Sequence, residues 1–424
     1  MHFSRYHISD SIKKSLEEHG FIKPTDIQFK AIPSILKGED VLAVAQTGTG
    51  KTAAFAIPAM ERLLSSGRRA EPSQVRCLVM VPTRELASQI ESVFKKFGAH
   101  TGLKIVSTYG GVDQNPQTNG LNKGVDVLIS TPGRMFDLRN QGFLDLSVVE
   151  ILVLDEADQM LAPGFIRDIR DAIKHIPGRR QTLFFSATIN EEIKDLAYSL
   201  VRNAIRIQIS PKDRVSKNVN HQVAFIEMDD KRFFLERLIK EQAEERILVF
   251  VRTKVRAERV QAAMARVGIE AGIIHGGRDQ AERMEVLDKF RNASAAVLIA
   301  TDVSARGIDI PGVRYVVNYD LPDEAENYVH RVGRTGRGME KGFAISFCAT
   351  EEKPQLEEIE EFLGKPVTHL SINRDDYQMS LALSEKPKAD WKDLIEQAKN
   401  ELGIGLAQAG KVKQKSKTKK SQKK

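Results

Sequence analysis

An apolar run followed by a glycine-rich segment indicates both the fold class and phosphate binding. The stretch is Val41-Leu-Ala-Val-Ala-Gln-Thr-Gly-Thr-Gly-Lys-Thr52. Its first five residues are continuously apolar, which is typical of a strand in a parallel sheet covered on both faces. The glycines that follow let backbone N–H groups close around phosphate oxygens, although Ala45 stands where the general pattern begins with glycine. We expect Lys51 to contact phosphates and the Thr52 hydroxyl to bind Mg²⁺. The alternative is a Gly/Thr-rich turn that binds no phosphate.

A second apolar run, Ile151-Leu-Val-Leu-Asp-Glu-Ala-Asp158, ends in acidic residues. Ligands of open α/β sheets bind beyond the carboxyl ends of the strands, where these acids are expected to lie. Asp155 is then a candidate Mg²⁺ ligand, and Glu156 is a candidate for orienting or deprotonating an attacking water. The alternative is that both carboxylates only cap a helix N-terminus.

Other apolar runs alternate with helical stretches such as 84–97 and 191–200, which predicts repeated βα units and an α/β doubly wound fold. The polar segment 210–218 contains a proline and reads as a flexible linker, so two such domains are predicted. The expected divisions are 1–209, the linker 210–218, 219–370, an extension 371–410 and a Lys-rich tail 411–424. The remaining strand-like runs are Cys77-Leu-Val-Met-Val, Val125-Asp-Val-Leu-Ile, Thr182-Leu-Phe-Phe-Ser, Ile247-Leu-Val-Phe-Val, Ala271-Gly-Ile-Ile-His, Ala296-Val-Leu-Ile-Ala, Tyr315-Val-Val-Asn and Phe343-Ala-Ile-Ser-Phe.

Composition bounds the class of protein. The 424 residues carry 64 Lys and Arg against 57 Asp and Glu, a net charge of +7. Residues 411–424 hold eight lysines and no acid, so removing these eight charges from +7 leaves −1 for the body. A body that binds nucleic acid therefore needs a local basic patch. Two cysteines in apolar runs, no membrane-length apolar segment and no signal peptide favour a reducing, cytoplasmic compartment.

A set of further motifs accompanies the phosphate loop and the acidic strand end. They are, in order, Gly20-Phe-Ile-Lys-Pro-Thr-Asp-Ile-Gln28 with Phe3 seventeen residues before it, Pro82-Thr-Arg-Glu-Leu86, Gly110-Gly111, Thr131-Pro-Gly-Arg134, Ser186-Ala-Thr188, Val249-Phe-Val-Arg-Thr253, His275-Gly-Gly, Gln280-Ala-Glu-Arg283, Ala300-Thr-Asp-Val-Ser-Ala-Arg-Gly-Ile-Asp309 and His330-Arg-Val-Gly-Arg-Thr-Gly-Arg337. Together with Asp155-Glu-Ala-Asp158 they resemble the DEAD-box RNA helicases over about residues 3–370, most nearly the bacterial RhlE-like branch. Asp26 departs from the proline common at its position.

The resemblance implies two tandem RecA-like domains and ATP-dependent RNA helicase activity. Gln28 would read adenine through its amide, with the ring of Phe3 stacked on the base, or Phe3 would be a mobile terminal residue. The implied ATP-binding residues are Phe3, Thr25, Gln28, Gln46, Thr47, Gly48, Thr49, Gly50, Lys51, Thr52 and Asp309, of which Asp309 would contact the ribose.

The second domain would complete the ATPase site. Arg334 and Arg337 are three residues apart and would act as arginine fingers on the γ-phosphoryl group, unless they belong to a solvated helix face. With Lys51, Asp155 and Glu156, the implied catalytic set includes Gln280, Arg306, His330, Arg334 and Arg337. Hydrolysis would then require the cleft between the domains to close.

RNA would be bound through its backbone and 2′-OH groups without base reading. The implied contacts are Arg84, Gly110, Gly111, Thr131, Arg134, Gly276, Arg283, Thr301 and Asp302, and the implied interdomain coupling residues are Asp158, Ser186 and Thr188. Any of the contacts could instead serve as a turn or cap, and Asp302 could accept from a 2′-OH or fix its neighbours.

Beyond residue 371 the pattern weakens. Asp390 could cap a short helix with Trp391 on its apolar face, which would dock on the body or bind a partner. The Lys-rich tail is expected to be disordered and either tethers RNA or only solubilises the chain. If it tethers RNA, its deletion lowers RNA affinity and the salt dependence while sparing the maximal ATPase rate.

Two other functions stay open on the motifs alone. One is a DNA-directed motor of the same superfamily, and the other is an ATP-gated RNA clamp whose output is binding. The expected partners are single-stranded or short duplex RNA and possible ribosome-assembly or RNA-decay proteins, with no membrane. Two measurements distinguish the helicase, the DNA-directed motor and the RNA clamp. They are the stimulation of ATP hydrolysis by RNA compared with DNA, and the ATP-dependent release of a strand from a short duplex.

Overall fold

The computed structural model describes residues 2–45, 48–161, 165–209, 215–305, 310, 312–336 and 340–382. Over these ranges the strands form two seven-stranded sheets in which neighbouring strands run parallel. The predicted α/β doubly wound fold is confirmed. The predicted helix capped by Asp390, and the tail 411–424, lie outside the described residues.

The first sheet has the order β3-β4-β2-β5-β6-β1-β7. Its strands are β1 (Val41–Ala45), β2 (Val75–Met80), β3 (Ile105–Thr108), β4 (Val125–Ser130), β5 (Ile151–Leu154), β6 (Gln181–Ser186) and β7 (Ile205–Ile209). Its helices are α1 (Asp10–Glu18), α2 (Asp26–Leu36), α3 (Lys51–Ser65), α4 (Arg84–Phe97), α5 (Asn115–Leu121), α6 (Pro132–Asn140), α7 (Phe165–Ile173) and α8 (Glu191–Leu200), with 3₁₀ turns at Phe3–Arg5 and Ala157–Leu161.

The second sheet has the order β10-β11-β9-β12-β13-β8-β14. Its strands are β8 (Val219–Phe225), β9 (Ile247–Val251), β10 (Ala271–Ile274), β11 (Val297–Thr301), β12 (Tyr315–Asn318), β13 (Gly342–Cys348) and β14 (Thr368–His369). Its helices are α9 (Lys231–Glu241), α10 (Lys254–Arg266), α11 (Gln280–Arg291), α12 (Asp302–Ala305), α13 (Ala325–Val332), α14 (Lys353–Leu363) and α15 (Arg374–Ala382), with a 3₁₀ turn at Thr350–Glu352.

Each sheet is buried on both faces, which is why the strands read as continuous apolar runs. In β1, Val41 and Ala43 pack into one hydrophobic cluster and Leu42 into the cluster on the opposite face. In β9, Val249 and Leu248 divide between two clusters in the same way. Period-2 alternation of side chains in a strand produces this division.

Residues 374–382 form a helix where the sequence pattern weakens. Tyr377 on α15 packs on Phe234 of α9 with ring centroids 5.0 Å apart, and its hydroxyl donates to Asp230 at 2.8 Å. Arg237 of α9 donates to the Ser380 hydroxyl at 2.7 Å. These tertiary contacts hold a helix that has little amphipathic pattern of its own, which is why periodicity gave no signal for it.

Candidate functional site

The loop after β1 carries the geometry of a phosphate cradle. Gly50 has φ +92°, and a Cβ there would overlap Nε2 of Gln28. Only glycine fits that position without displacing the amide. Lys51 then begins α3, so the helix N-terminus points its unsatisfied N–H groups at the loop. Gln46 and Thr47 of the predicted loop lie outside the described residues.

Gln28 holds this loop from the first turn of α2. Its Nε2 donates to the Gly50 carbonyl at 3.0 Å, and its Oε1 accepts from the Thr25 N–H at 3.0 Å. Thr25 and Gln28 form a capping box, and the acid Asp26, which replaces a proline, occupies the favoured first turn. Both halves of the Gln28 amide are therefore engaged inside the protein, and the side chain is 2% exposed.

The structure shows Phe3 neither as an open ring available for stacking on adenine nor as a mobile terminal residue. Its ring is 3% exposed, belongs to the hydrophobic cluster of the first domain and lies 5.9 Å from the ring of Tyr6. Its N–H donates to the Ile22 carbonyl at 3.1 Å. The residue is fixed by packing and is not a loose terminus, but in this arrangement the ring is not open to a base. Adenine stacking and reading stay predictions.

The acids after β5 lie beside Lys51. Asp155 and Glu156 are 2% and 5% exposed, and the Glu156 N–H donates to Oδ1 of Asp155 at 3.0 Å. Within the described residues neither Nζ of Lys51 nor Oε2 of Glu156 has a hydrogen-bond partner. Buried polar atoms without partners are costly, which indicates a site shaped for a polar ligand.

The electrostatics of this cluster are set by burial. Burial raises the pKa of Glu156 to about 7, opposed by the nearby positive charge of Lys51 and, more weakly, of Arg334. Burial also raises the pKa of Asp155, and Lys51 again opposes the shift. Glu156 adopts φ +50°, a left-handed conformation that is unusual for a residue with a Cβ and is common at functional sites.

Asp158 links the acidic strand end to the segment after β6. Its Oδ2 accepts from the N–H of Ala187 and of Thr188, both at 3.1 Å, and from the Thr188 hydroxyl at 3.3 Å. Nε2 of His330 in the second domain lies 3.9 Å from the same oxygen. Ser186 is fully buried, and its hydroxyl has no partner among the described residues. The side chains of Thr188 and His330, from the two domains, thus both lie at the Asp158 carboxylate.

The second domain brings Arg334 to the acids of the first. Arg334 follows α13, is 5% exposed, and its Nε donates to the His330 carbonyl at 3.2 Å. Its positive charge acts to lower the pKa of Glu156, against the larger effect of burial, so the second domain brings a cation near this acid. Arg306, Asp309 and Arg337, and the side chain of Gln280, lie outside the described residues, and their roles stay predictions.

Arg84 and the two glycines of the predicted RNA surface in the first domain lie together. A Cβ on Gly111, which has φ +77°, would overlap Nη1 of Arg84, and one on Gly110 would lie 3.6 Å from its Nη2. Arg134 donates to Asp137 at 2.7 Å and to Gln114 at 3.2 Å, which fixes its guanidinium.

Thr131 is the N-cap of α6, the helix that carries Arg134. Its side chain makes no capping hydrogen bond, so Thr131 occupies the cap position without capping the helix through its hydroxyl.

On the second domain, Arg283 crosses the cleft to Glu85. Nη2 of Arg283 lies 2.6 Å from Oε1 of Glu85, beside Arg84. Gly276 is exposed next to Lys254, and the Thr301 hydroxyl is within 3.2 Å of the Ser304 hydroxyl. The residues predicted to bind RNA therefore occur on both sides of the same cleft.

Asp302 has a partner that sequence reasoning missed. Arg331 makes a bidentate ion pair with it, at 2.6 and 2.7 Å, and also donates to the Asp320 carbonyl at 2.7 Å. Arg331 is 1% exposed, so the pair is a strong charge-assisted contact inside the domain. Of the two roles open for Asp302, the contact with a neighbour is the one present. No sequence signal pointed to this pair, because it depends on the burial of Arg331 inside the domain.

Fold and site together define a tandem RecA-like protein with a candidate nucleotide site between its domains. Residues 25–196 match the DEAD/DEAH box helicase domain, and residues 230–339 match the helicase conserved C-terminal domain. The chain is 38% identical to the ATP-dependent RNA helicase RhlB of Shewanella amazonensis over 92% of this chain and 91% of that protein. It is 42% identical to the DEAD-box ATP-dependent RNA helicase CshA of Geobacillus kaustophilus over 84% and 76% of the two chains.

Solved structures agree with this assignment. S. cerevisiae Dbp5 bound to RNA and ADP BeF3 is 31% identical, with a TM-score of 0.78 over 91% of this chain and 99% of that one. The chain belongs to the DEAD-box family of ATP-dependent RNA helicases. These relatives carry the names RhlB and CshA, so the RhlE-like branch stays a prediction. Within the described residues no helix is both long and apolar enough to cross a membrane.

Proposed function

We propose that the protein is an RNA-stimulated ATPase that binds single-stranded RNA without base specificity, separates short duplexes locally and releases the strand after hydrolysis. The observation that carries the proposal is that the buried Glu156 lies within the electrostatic reach of two buried cations, Lys51 of the first domain and Arg334 of the second. A site divided in this way turns over only when the domains are together. The family assignment of the chain supports the same reaction.

The proposed roles follow from the chemistry of each side chain. Lys51 and the Gly50 loop bind the β- and γ-phosphates, Glu156 takes a proton from the attacking water, and Arg334 stabilises charge on the transferred phosphoryl group. The unpaired Nζ of Lys51 and the unpaired Oε2 of Glu156, within the described residues, fit an anionic substrate with a water beside it. Gln280, Arg306, His330 and Arg337 belong to the same proposal as its water-positioning and charge-stabilising groups.

Mg²⁺ fits this donor set, because a threonine hydroxyl and a buried carboxylate next to phosphate-binding residues are hard oxygen donors. Thr52 and Asp155 are its proposed ligands. When bound, the ion would neutralise phosphate charge. Asp155 also lies where its own pKa is raised by burial, which a nearby cation would oppose.

RNA is proposed to lie across both domains. Arg84, Gly110, Gly111, Thr131 and Arg134 would contact it from the first domain, and Gly276, Arg283, Thr301 and Asp302 from the second. Because ATP and RNA both need the closed cleft, their binding should be cooperative. We place this activity in the cytoplasm, in keeping with two free buried thiols, Cys77 and Cys348.

The test is ATP hydrolysis by the purified full chain alone, with single-stranded RNA, and with single-stranded DNA of equal length. Stimulation by RNA only is expected. Equal stimulation by DNA would favour the DNA-directed motor. Stimulation by RNA without ATP-dependent release of a strand from a short duplex would favour a clamp.

A further inference from the structure

A cavity of about 720 Å³ lies in the first domain, at the end opposite the nucleotide loop. It is open to solvent on one side and is lined by residues 5–7, the C-terminal turns of α2 and α3, and the start of β5. The nucleotide loop follows the carboxyl end of β1, whereas Ile151, which lines this cavity, is the first residue of β5. The cavity is therefore separate from the ATP site, and its volume is that of an ordinary small-molecule site.

Basic side chains outnumber acidic ones in its walls. Arg5, Lys37 and Arg62 line it, together with the imidazole of His7. In the part of the chain that the structure describes, none of the four makes an ion pair, and Nε of Arg62 is buried without a hydrogen-bond partner. Basic residues at helix C-termini often only offset the helix dipole, but Arg5 and His7 belong to neither α2 nor α3.

The two carboxylates in the wall are already engaged. Glu61 accepts from the Ser9 N–H at 2.6 Å and from the Ser65 hydroxyl at 2.9 Å. Glu150 is paired with Arg76 at 2.8 Å and lies 3.6 Å from Arg68. Glu61 keeps its negative charge, because both of its donors are neutral, but Arg5, Lys37 and Arg62 outnumber it, and Glu150 is already paired with arginines. The lining therefore carries a net positive charge.

The remaining wall suits an uncharged ring. Tyr6 is 5% exposed, and its hydroxyl is buried without a partner among the described residues. Pro33 and Leu36 line the same space and are partly buried. An apolar wall beside a cluster of cations and hydroxyl donors is the arrangement that binds a flat ring at one end and phosphate at the other.

We propose that this cavity is a second binding site, for a small phosphorylated molecule of nucleotide size. Arg5, Lys37 and Arg62 would contact its phosphate groups, and the partly buried Pro33 and Leu36 would contact its ring. The site does not depend on the proposed ATPase reaction, because none of these side chains belongs to the nucleotide loop or the acidic cluster.

The test is the number of ADP molecules bound per full-length chain, measured by equilibrium dialysis with radiolabelled ADP. The unmodified chain should bind two. Lys51→Ala should remove the site at the nucleotide loop and leave the other. The double variant Lys37→Gln with Arg62→Gln should do the reverse, raising the Kd of the second site by at least about tenfold for each charge-assisted hydrogen bond removed.

Two controls keep the proposal falsifiable. Arg5→Gln alters an exposed side chain, so it should weaken the second site without affecting folding, and Lys194→Gln on α8 removes a positive charge elsewhere on the same domain and should leave both sites unchanged. One ADP per chain in the unmodified protein, with no second site for tripolyphosphate either, would overturn the proposal. A second site that survives both cavity variants would overturn it as well. RNA-dependent ATP hydrolysis, measured in parallel, reports separately on the proposed function.

Discussion

The two domains share one strand order but use the same position in opposite ways. Counted from its own first strand, the second sheet repeats the order of the first. Lys51 is the first residue of α3, which follows β1, and Lys231 is the first residue of α9, which follows β8. Five residues separate strand from helix in each case, Gln46-Thr-Gly-Thr-Gly50 in one and Ile226-Glu-Met-Asp-Asp230 in the other.

The surroundings of the two lysines explain the difference. Lys51 has no hydrogen-bond partner for Nζ among the described residues, whereas Lys231 donates to the Tyr319 carbonyl at 2.7 Å and to Glu352. Asp320, which follows β12 as Asp155 follows β5, lies 3.9 Å from Nζ of Lys231. The second domain fills with its own carboxylate the place that the first leaves for a ligand. The shared fold alone therefore does not create a ligand-binding site. Whether the lysine at this position can bind a ligand depends on whether a carboxylate of the protein is already paired with it.

The difference between the two domains is tested most strongly by removing one buried carboxylate from each of them. Glu156→Gln should lower the rate of ATP hydrolysis by about 10²–10⁴-fold while ATP still binds, because the amide cannot accept a proton from water. Glu352→Gln, assayed well below its unfolding temperature, should leave that rate within about twofold, since Glu352 is a structural partner of Lys231. Normal turnover by Glu156→Gln in a steady-state phosphate-release assay would contradict the assigned role.

The two lysines should differ in what they do for stability. Lys231→Met should lower the free energy of unfolding of its domain by about 3 kcal/mol, because it leaves Glu352 and Asp320 buried with less compensating charge. The value is at the low end for such changes because Arg252 still lies 3.1 Å from Glu352. Lys51→Met should change stability by no more than about 1 kcal/mol and abolish tight ATP binding. Urea unfolding followed by circular dichroism measures both, and equal destabilisation by the two variants would refute the distinction.

The contact between the domains can be measured by a double-mutant cycle. Glu85→Ala and Arg283→Ala should each weaken RNA binding in the presence of ATP, and the double variant should lose less than the sum, with a coupling free energy of about 1–2 kcal/mol. The matched control is Arg278 with Glu282, a pair 3.6 Å apart at the start of α11. If the coupling free energy of the Arg278–Glu282 pair were as large, the contact between Glu85 and Arg283 would have no specific effect on RNA binding.

The cysteines provide the smallest expected difference. Burial raises the pKa of Cys77 to about 12 and that of Cys348 to about 11. Because only the thiolate reacts, and burial raises the pKa of Cys77 further, Cys348 should be modified by Ellman's reagent at pH 8 faster than Cys77. The rates are resolved by mass spectrometry of tryptic peptides. Faster modification of Cys77 would show that its strand opens more readily than the burial implies.

In the first sheet the sequence predicted the five inner strands and missed both edge strands, and in the second sheet it predicted every strand except the inner β8 and the edge strand β14. Central strands such as β5 and β9 were recognisable because both faces are buried and the runs are wholly apolar. The outer strands β3 and β7 were missed, since Ile205-Arg-Ile-Gln-Ile209 alternates with exposed polar residues. β8 was missed because its His221 and Gln222 interrupt the apolar run.

The site was predicted by motif position but not by side-chain pairing. Asp155 and Glu156 were placed correctly at a strand end beside Lys51, because parallel strands bring their carboxyl ends to one edge. Gln28 bonds to the loop and Arg331 bonds to Asp302. Each bond depends on which neighbour the side chain reaches after packing, and residue spacing does not predict that. The equivalence of Lys231 and Lys51 likewise became visible only in the strand order.

We propose that Arg334 of the second domain supplies positive charge to a reaction centre carried by the first. The most direct measurement is single-turnover ATP hydrolysis by Arg334→Ala with saturating single-stranded RNA, beside Arg314→Ala as a matched arginine change on the surface of the same domain. We expect Arg334→Ala to bind ATP nearly normally and to hydrolyse it at least about 10³-fold more slowly than the unmodified protein. We expect Arg314→Ala to hydrolyse ATP at the normal rate. Hydrolysis by Arg334→Ala at the rate of the unmodified protein would contradict it.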